Sequence, residues 1–172
     1  METLESTLLL KSRSFSFYSH RVRLPSGRKT IRNVVKHPGA AAILAEGPGG
    51  LVFVEQYRYA PGVRLLEIPA GTLEWGEDPL DCAKRELMEE TGYRAAHWEK
   101  LLECYVAPGY SDELIHIYRA RGLTPGCPHP EDDEDLKVVE LPLEEALRMA
   151  RDNEIRDGKT LIALLYAYSA SK

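Results

Sequence analysis

Residues 71–93 constrain the chain more than any other stretch. They read Gly-Thr-Leu-Glu-Trp-Gly-Glu-Asp-Pro-Leu-Asp-Cys-Ala-Lys-Arg-Glu-Leu-Met-Glu-Glu-Thr-Gly-Tyr, a glycine-hinged loop running into one short helix. Asp78 is a good N-cap, Pro79 suits the first helical position, where no amide donor is needed, and Gly92 suits the left-handed position that stops the helix. At about 100° per residue, Leu80, Ala83, Leu87 and Thr91 share one face. Glu86, Glu89 and Glu90 fall together on a different arc. One face can therefore pack on a sheet while the other presents three carboxylates.

A charge run is most often a solvated helix face. Like charges one turn apart cost only about 0.2–0.5 kcal/mol on an exposed helix, so the carboxylates alone decide nothing. Their spacing decides more, because oxygens one turn apart can converge on a hard cation such as Mg²⁺. Gly71 lets backbone approach the same point, and Arg85 can tie the helix to its loop through Glu77 or Glu89. The stretch resembles the Nudix box, G-x5-E-x7-R-E-U-x-E-E-x-G-U with U aliphatic. Gly71, Glu77, Arg85, Glu86, Leu87, Glu89, Glu90 and Gly92 all match it. Tyr93 departs from the aliphatic last position, a change expected to alter packing rather than chemistry.

The length of 172 residues fits one domain with a sizeable core. A formal charge of −5 argues against broad nucleic-acid binding, though not against a nucleotide, since a metal can bridge acidic protein to phosphate. Cys82, Cys104 and Cys127 form no C-x-x-C and suit reduced thiols. No apolar run approaches a membrane span and no signal-peptide core opens the chain, so the expected address is the cytoplasm, with no membrane partner.

Taken in order, residues 1–36 read as a small β unit. Phe15, Phe17, Arg21, Arg23 and Leu24 lead into the turn signal Pro25-Ser26-Gly27-Arg28, and residues 30–35 lead out. A lone hairpin is marginal in water, so the unit must pack on the main domain, on a partner subunit, or on both. Phe15, Phe17 and Tyr18 are either ordinary hairpin packing or a platform for a base. His37-Pro38-Gly39 divides this region from residues 37–172. Strands are expected at 40–45 and 51–57 around the turn 47–50, with Arg58 at the end of the second as a surface charge or an anion clamp. Gly158-Lys159-Thr160 lacks the upstream glycine and strand of a phosphate-binding loop. Residues 65–70 form a short strand delivering Gly71, and strands at 98–106 and 113–120 flank the loop 107–112. A proline-rich loop and an acidic run at 131–135 precede a strand at 137–141, a helix at 143–151 and an apolar closing helix at 160–169. The pattern is α/β, with helices flanking a mixed sheet.

The resemblance extends beyond the box. Val34-Val35-Lys36-His37-Pro38-Gly39-Ala40, Glu67-Ile68-Pro69-Ala70-Gly71, Pro108-Gly109-Tyr110-Ser111-Asp112-Glu113 and Glu134 two residues before Leu136 are similar to the ADP-ribose pyrophosphatase branch of the Nudix hydrolases. That resemblance implies a Nudix α/β/α sandwich with a mixed sheet, plus a small N-terminal antiparallel β region that dimerises and helps build the site. It implies that Glu86 and Glu90 ligate Mg²⁺, with Mn²⁺ as a substitute, Glu89 assisting and Ala70 offering its carbonyl. Arg58 would bind phosphate or ribose, and Arg32 would sit near the substrate, reaching from the other subunit. Pro108, Gly109 and Ser111 would belong to the substrate-side loop. Arg85 belongs with the catalytic set, and the general base falls on Glu134, with Glu89 and Glu113 as rivals. The implied reaction is Mg²⁺-dependent hydrolysis of ADP-ribose to AMP and ribose 5-phosphate. The alternatives are another nucleoside diphosphate sugar, or a non-catalytic nucleotide sensor, against which the intact box argues. Pro108 disfavours dinucleoside polyphosphates, where the family usually has tyrosine. Expected partners are the small-molecule substrate and a second copy of the chain, not nucleic acid.

Overall fold

The structure, a computed structural model, describes residues 1–127 and 135–170. Strands β1 (Glu2–Lys11), β2 (Ser16–Arg23) and β3 (Lys29–Lys36) form an antiparallel sheet in that order. The expected two-stranded unit therefore carries a third strand, β1, whose mixed charged and leucine sequence gave no clean alternation. Within this sheet Val22 is the one buried hydrophobic, while Leu8, Leu9, Leu10 and Ile31 are exposed.

Residues 37–39 lead into the main sheet, built from β4 (Ala40–Gly47), β5 (Gly50–Arg58), β6 (Val63–Glu67), β7 (Ala70–Thr72), β8 (Tyr93–Tyr105), β9 (Leu114–Pro125) and β10 (Leu136–Leu141). Its order is β10-β5-β4-β9-β8, with β6 paired to β5 and β7 to β4. β4 runs parallel to β9 and the other pairs are antiparallel, so the sheet is mixed. The strand expected at 65–70 is broken in two: Ile68 and Pro69 leave the ladder, and Pro69 offers its carbonyl to Ile43 N–H at 2.8 Å. Proline has no amide to continue a ladder, so the chain changes neighbour from β5 to β4 there.

β4 is buried on both faces, and its period of two sorts the core. Ala40, Ala42 and Leu44 join Leu51, Phe53, Ile115 and Ile117 under α2 (Leu143–Arg151) and α3 (Gly158–Ala170). Ala41, Ile43 and Ala45 join Val52, Leu73 and Tyr118 under α1 (Pro79–Thr91). The result is the expected α/β/α sandwich.

Main-chain bonds fasten the small sheet to this body. Val35 N–H donates to Tyr110 O at 2.8 Å and Asp112 N–H donates to Val35 O at 3.2 Å. The Asp112 carboxylate accepts from Lys36 Nζ at 2.7 Å and from His37 N–H at 2.9 Å.

Candidate active site

Helix α1 begins and ends as its sequence dictates. The Asp78 side chain accepts from Leu80 and Asp81 N–H, Pro79 follows, and Gly92 stops the helix at φ 75° with its N–H on Met88 O. Cys82, Ala83, Leu87 and Thr91 turn into the sheet. Tyr93 reaches across the core edge, its hydroxyl donating to Glu140 Oε1 at 2.6 Å, and it lines neither of the cavities described below.

The three glutamates are not equivalent. Glu90 is only 4% exposed and accepts from Ala70 N–H at 3.0 Å, so it belongs to the buried side rather than to an open acidic arc. Glu86 is 13% exposed at its side chain and Glu89 38%. Glu86 lies directly over Gly71, where an added Cβ would stand 1.9 Å from the carboxyl carbon. Only glycine leaves that space.

Arg85 straps the loop to the helix. Its guanidinium donates to Glu77 at 3.2 Å through Nε and again at 3.2 Å through Nη2, to Glu86 at 2.6 Å and to Glu89 at 3.0 Å. Both expected partners, Glu77 and Glu89, are thus engaged. Burial works against the Arg85 charge, but Glu77, Glu86 and Glu89 hold it well above its ordinary pKa. Burial likewise opposes the Glu77 carboxylate, and the Arg85 hydrogen bonds bring its pKa below the ordinary value.

Two cavities meet at Gly71. One, of about 500 Å³, is lined by Glu86, Glu89, Arg85, Trp75, Arg13 and Ser14 among others. The second, of about 610 Å³, is lined by Tyr59, Leu65, Glu67, Glu113, Asp157 and Lys159 among others. Arg58, Ala70, Gly71 and Thr72 line both. Arg58 is held by a bidentate bond to Glu67, with Nε and Nη2 each 2.8 Å from a carboxylate oxygen.

The structure brings Arg58, Ala70, Arg85, Glu86, Glu89 and Glu113 to this paired groove, with Glu90 buried behind it. Ser111 accepts from Glu113 N–H through its hydroxyl at 3.1 Å, one step from the groove. Pro108 and Gly109 sit in the turn that fastens β3 and line neither cavity. Arg32 lies on β3, opposite His20, and its guanidinium donates to Ile31 O at 3.2 Å. Glu134 lies outside the described residues. Arg13 and Ser14 were missed from sequence because a turn between two strands carries no functional pattern. Glu67 and Lys159 were missed because the contact between them spans 92 positions of the chain.

Cys82 is buried beneath the site, and burial, with Glu86 and Glu77 nearby, pushes its thiol up to about 12. Cys104 is partly buried and raised by burial, whereas Cys127 is exposed. A thiol reagent at pH 8 should therefore label Cys127 first and leave Cys82 unmodified until the protein unfolds. Peptide mapping that finds Cys82 labelled in native protein would contradict this placement.

Every candidate metal donor on α1 is a carboxylate oxygen, and the Ala70 carbonyl adds a neutral one, a set suited to a hard divalent cation. Among the described residues no three side chains already converge as a metal cage. Arg85 holds Glu86 and Glu89, and Glu90 accepts from Ala70 N–H. The donor chemistry fits the cation.

The family model for the NUDIX domain matches residues 35–164. The chain is 40% identical over 168 residues to a methanol dehydrogenase activator of Bacillus methanolicus, covering 96% of this chain and 91% of the relative. It is 40% identical over 174 residues to an ADP-ribose pyrophosphatase of Bacillus subtilis, covering 96% and 94%. A crystal structure described as an ADP compounds hydrolase superposes with a TM-score of 0.84 at 22% identity, over 97% of this chain and 91% of that one.

Proposed function

The chain belongs to the Nudix family, and from that premise we propose that it hydrolyses the pyrophosphate bond of ADP-ribose, giving AMP and ribose 5-phosphate with Mg²⁺. One observation carries the reading: Arg58 and two α1 glutamates, Glu86 and Glu89, line a single groove hinged at Gly71, with Glu90 buried behind it. A diphosphate needs both, a guanidinium for its oxygens and carboxylates to hold the cation that neutralises the rest. The resemblance to the ADP-ribose pyrophosphatase of Bacillus subtilis over nearly the whole chain supports this substrate.

Glu86 and Glu90 hold the metal, with Glu89 assisting and Ala70 offering its carbonyl. When bound, such ions offset phosphate charge and lower the pKa of a coordinated water. Arg58 orients the diphosphate through donors that Glu67 does not take. The base is Glu134, with Glu89 and Glu113, which line the groove, as the alternatives. General-base assistance is worth about 10²–10⁴-fold, so Glu134→Gln should lower kcat by that order with little change in directly measured affinity. A loss below tenfold there, beside a larger loss in Glu89→Gln or Glu113→Gln, moves the role.

The working form is a homodimer, supported by the exposed Leu8, Leu9, Leu10 and Ile31 on a sheet with hardly any core of its own. Arg13 and Ser14 of that sheet line the groove, so its loss should also harm the site. Deleting residues 1–36 should give a poorly active protein; a fully active monomer in sedimentation would refute the arrangement. The free cysteines fit a reducing cytoplasm. Incubation with ADP-ribose and Mg²⁺ should release AMP and ribose 5-phosphate in equal amounts. A panel of other sugar nucleotides, dinucleoside polyphosphates and nucleoside triphosphates tests the substrate, and preference for one of these over ADP-ribose would overturn it.

A further inference from the structure

In the wall of the larger cavity lies a charged network that the box does not contain. Glu67 is 1% exposed and sits at the corner where β6 ends. One of its carboxylate oxygens takes Arg58 Nε, and the other takes both Arg58 Nη2 and the buried ammonium of Lys159. Lys159 also pairs with Asp157 at 3.1 Å. Asp157 in turn accepts from Thr160 Oγ1 at 2.6 Å, and Thr160 Oγ1 accepts from Ile68 N–H at 2.9 Å. The first turn of α3 and the β6–β7 corner are thereby one bonded unit, and Arg58 is its outward end.

A buried carboxylate must be matched by cations, since desolvation disfavours its charge. Burial alone would raise the Glu67 pKa, but Arg58 and Lys159 together hold it below the ordinary value. With Lys159 absent, Arg58 would be the sole cation on Glu67 and its charge more fully consumed there. With Lys159 present, Glu67 is shared, and Arg58 keeps both its direction and some positive potential toward an anion in the groove.

We infer that Glu67 and Lys159 are positioning residues for Arg58, fixing its guanidinium for the substrate phosphates without touching the substrate themselves. The inference rests on the nucleoside diphosphate reading above. It differs from a plain packing role, because its effect must pass through Arg58.

The test is a double-mutant cycle of Lys159→Met with Arg58→Ala. Lys159→Met should lower kcat/KM for ADP-ribose by up to about 100-fold, the order expected when a binding group is misplaced. Most of that loss should fall in KM, Lys159→Arg should recover most of it, and Lys159→Met should cost nothing further in the Arg58→Ala background. Equal costs in the two backgrounds, or wild-type kinetics in Lys159→Met, would overturn the inference. If Lys159→Met fails to fold, the cycle is run with Glu67→Gln, which keeps the side-chain shape. A second readout needs no turnover: the Arg58 Nε–H resonance in arginine-labelled protein. It should exchange slowly in the wild type, shift in Lys159→Met and exchange rapidly in Glu67→Gln. An unchanged resonance in both variants overturns the inference even if the protein proves inactive on ADP-ribose, whereas inactivity with the expected shifts overturns only the substrate.

Discussion

Glu86→Gln and Glu90→Gln should each leave a folded protein that has lost nearly all Mg²⁺-dependent hydrolysis. A metal ligand contributes several kcal/mol of charge stabilisation, and each 1.36 kcal/mol is tenfold in rate, so a loss on the order of 10²-fold or more is expected. The two variants should differ in stability. Glu86 is hydrogen-bonded to Arg85 at 2.6 Å in a cluster of three carboxylates around one guanidinium, and neutralising it weakens a shared strap. Glu90 is 4% exposed and accepts Ala70 N–H at 3.0 Å, a bond that the glutamine carbonyl can still accept. Replacing that carboxylate with an amide keeps this bond but loses its attraction for the Arg58 guanidinium, so the melting temperature should fall only slightly. Wild-type turnover by either variant at limiting Mg²⁺ would remove that residue from the metal site.

Gly71→Ala should be nearly as damaging to activity while costing little stability. The added methyl would stand 1.9 Å from the Glu86 carboxyl carbon and 2.0 Å from its Oε1, which no structure tolerates. The obstructing atoms are the far end of a flexible side chain, so Glu86 can swing aside and the backbone need not move. The carboxylate then leaves the position that the groove requires. A melting temperature close to wild type, with kcat/KM down on the order of 10²-fold, is the expected pair of results. A fully active Gly71→Ala would mean that the position of Glu86 over the backbone has no part in catalysis.

Much of this site was legible because its signals are local. Asp78, Pro79 and Gly92 mark the ends of α1 within a few residues, and the short continuous apolar run at residues 40–45 announces a strand. Glu90 was read by charge onto an open arc, yet the sheet covers it; helical spacing gives direction but not how far a neighbouring backbone leans over. The break at Ile68 and Pro69 was hidden because both flanking segments are extended, and only the change of partner strand separates them. Gly158-Lys159-Thr160 lacks the upstream glycine and strand of a phosphate-binding loop, and setting that motif aside leaves Lys159 with no role legible in its neighbours. Its carboxylate partner, Glu67, lies 92 positions earlier, a distance no local pattern spans. The first strand, Glu2–Lys11, escaped for a further reason: almost none of it is buried, so there was no core pressure to write an alternation into it.

The alanines of β4 act as a spacer gauge for the catalytic layer. Ala41 and Ala45 are fully buried against the face that carries Cys82, Ala83 and Leu87 of α1. Interiors this closely packed have no slack to absorb an extra methyl group. A bulkier residue at either position would lift the whole helix, and with it Glu86, Glu89 and Glu90, away from Gly71 and Ala70 on the same sheet. Sites that never meet a substrate would then rank among the least substitutable in the chain. The tolerance of this enzyme to change is thus set by thickness as much as by chemistry, and a catalytic defect in a relative can originate in a strand whose side chains are too small to attract notice.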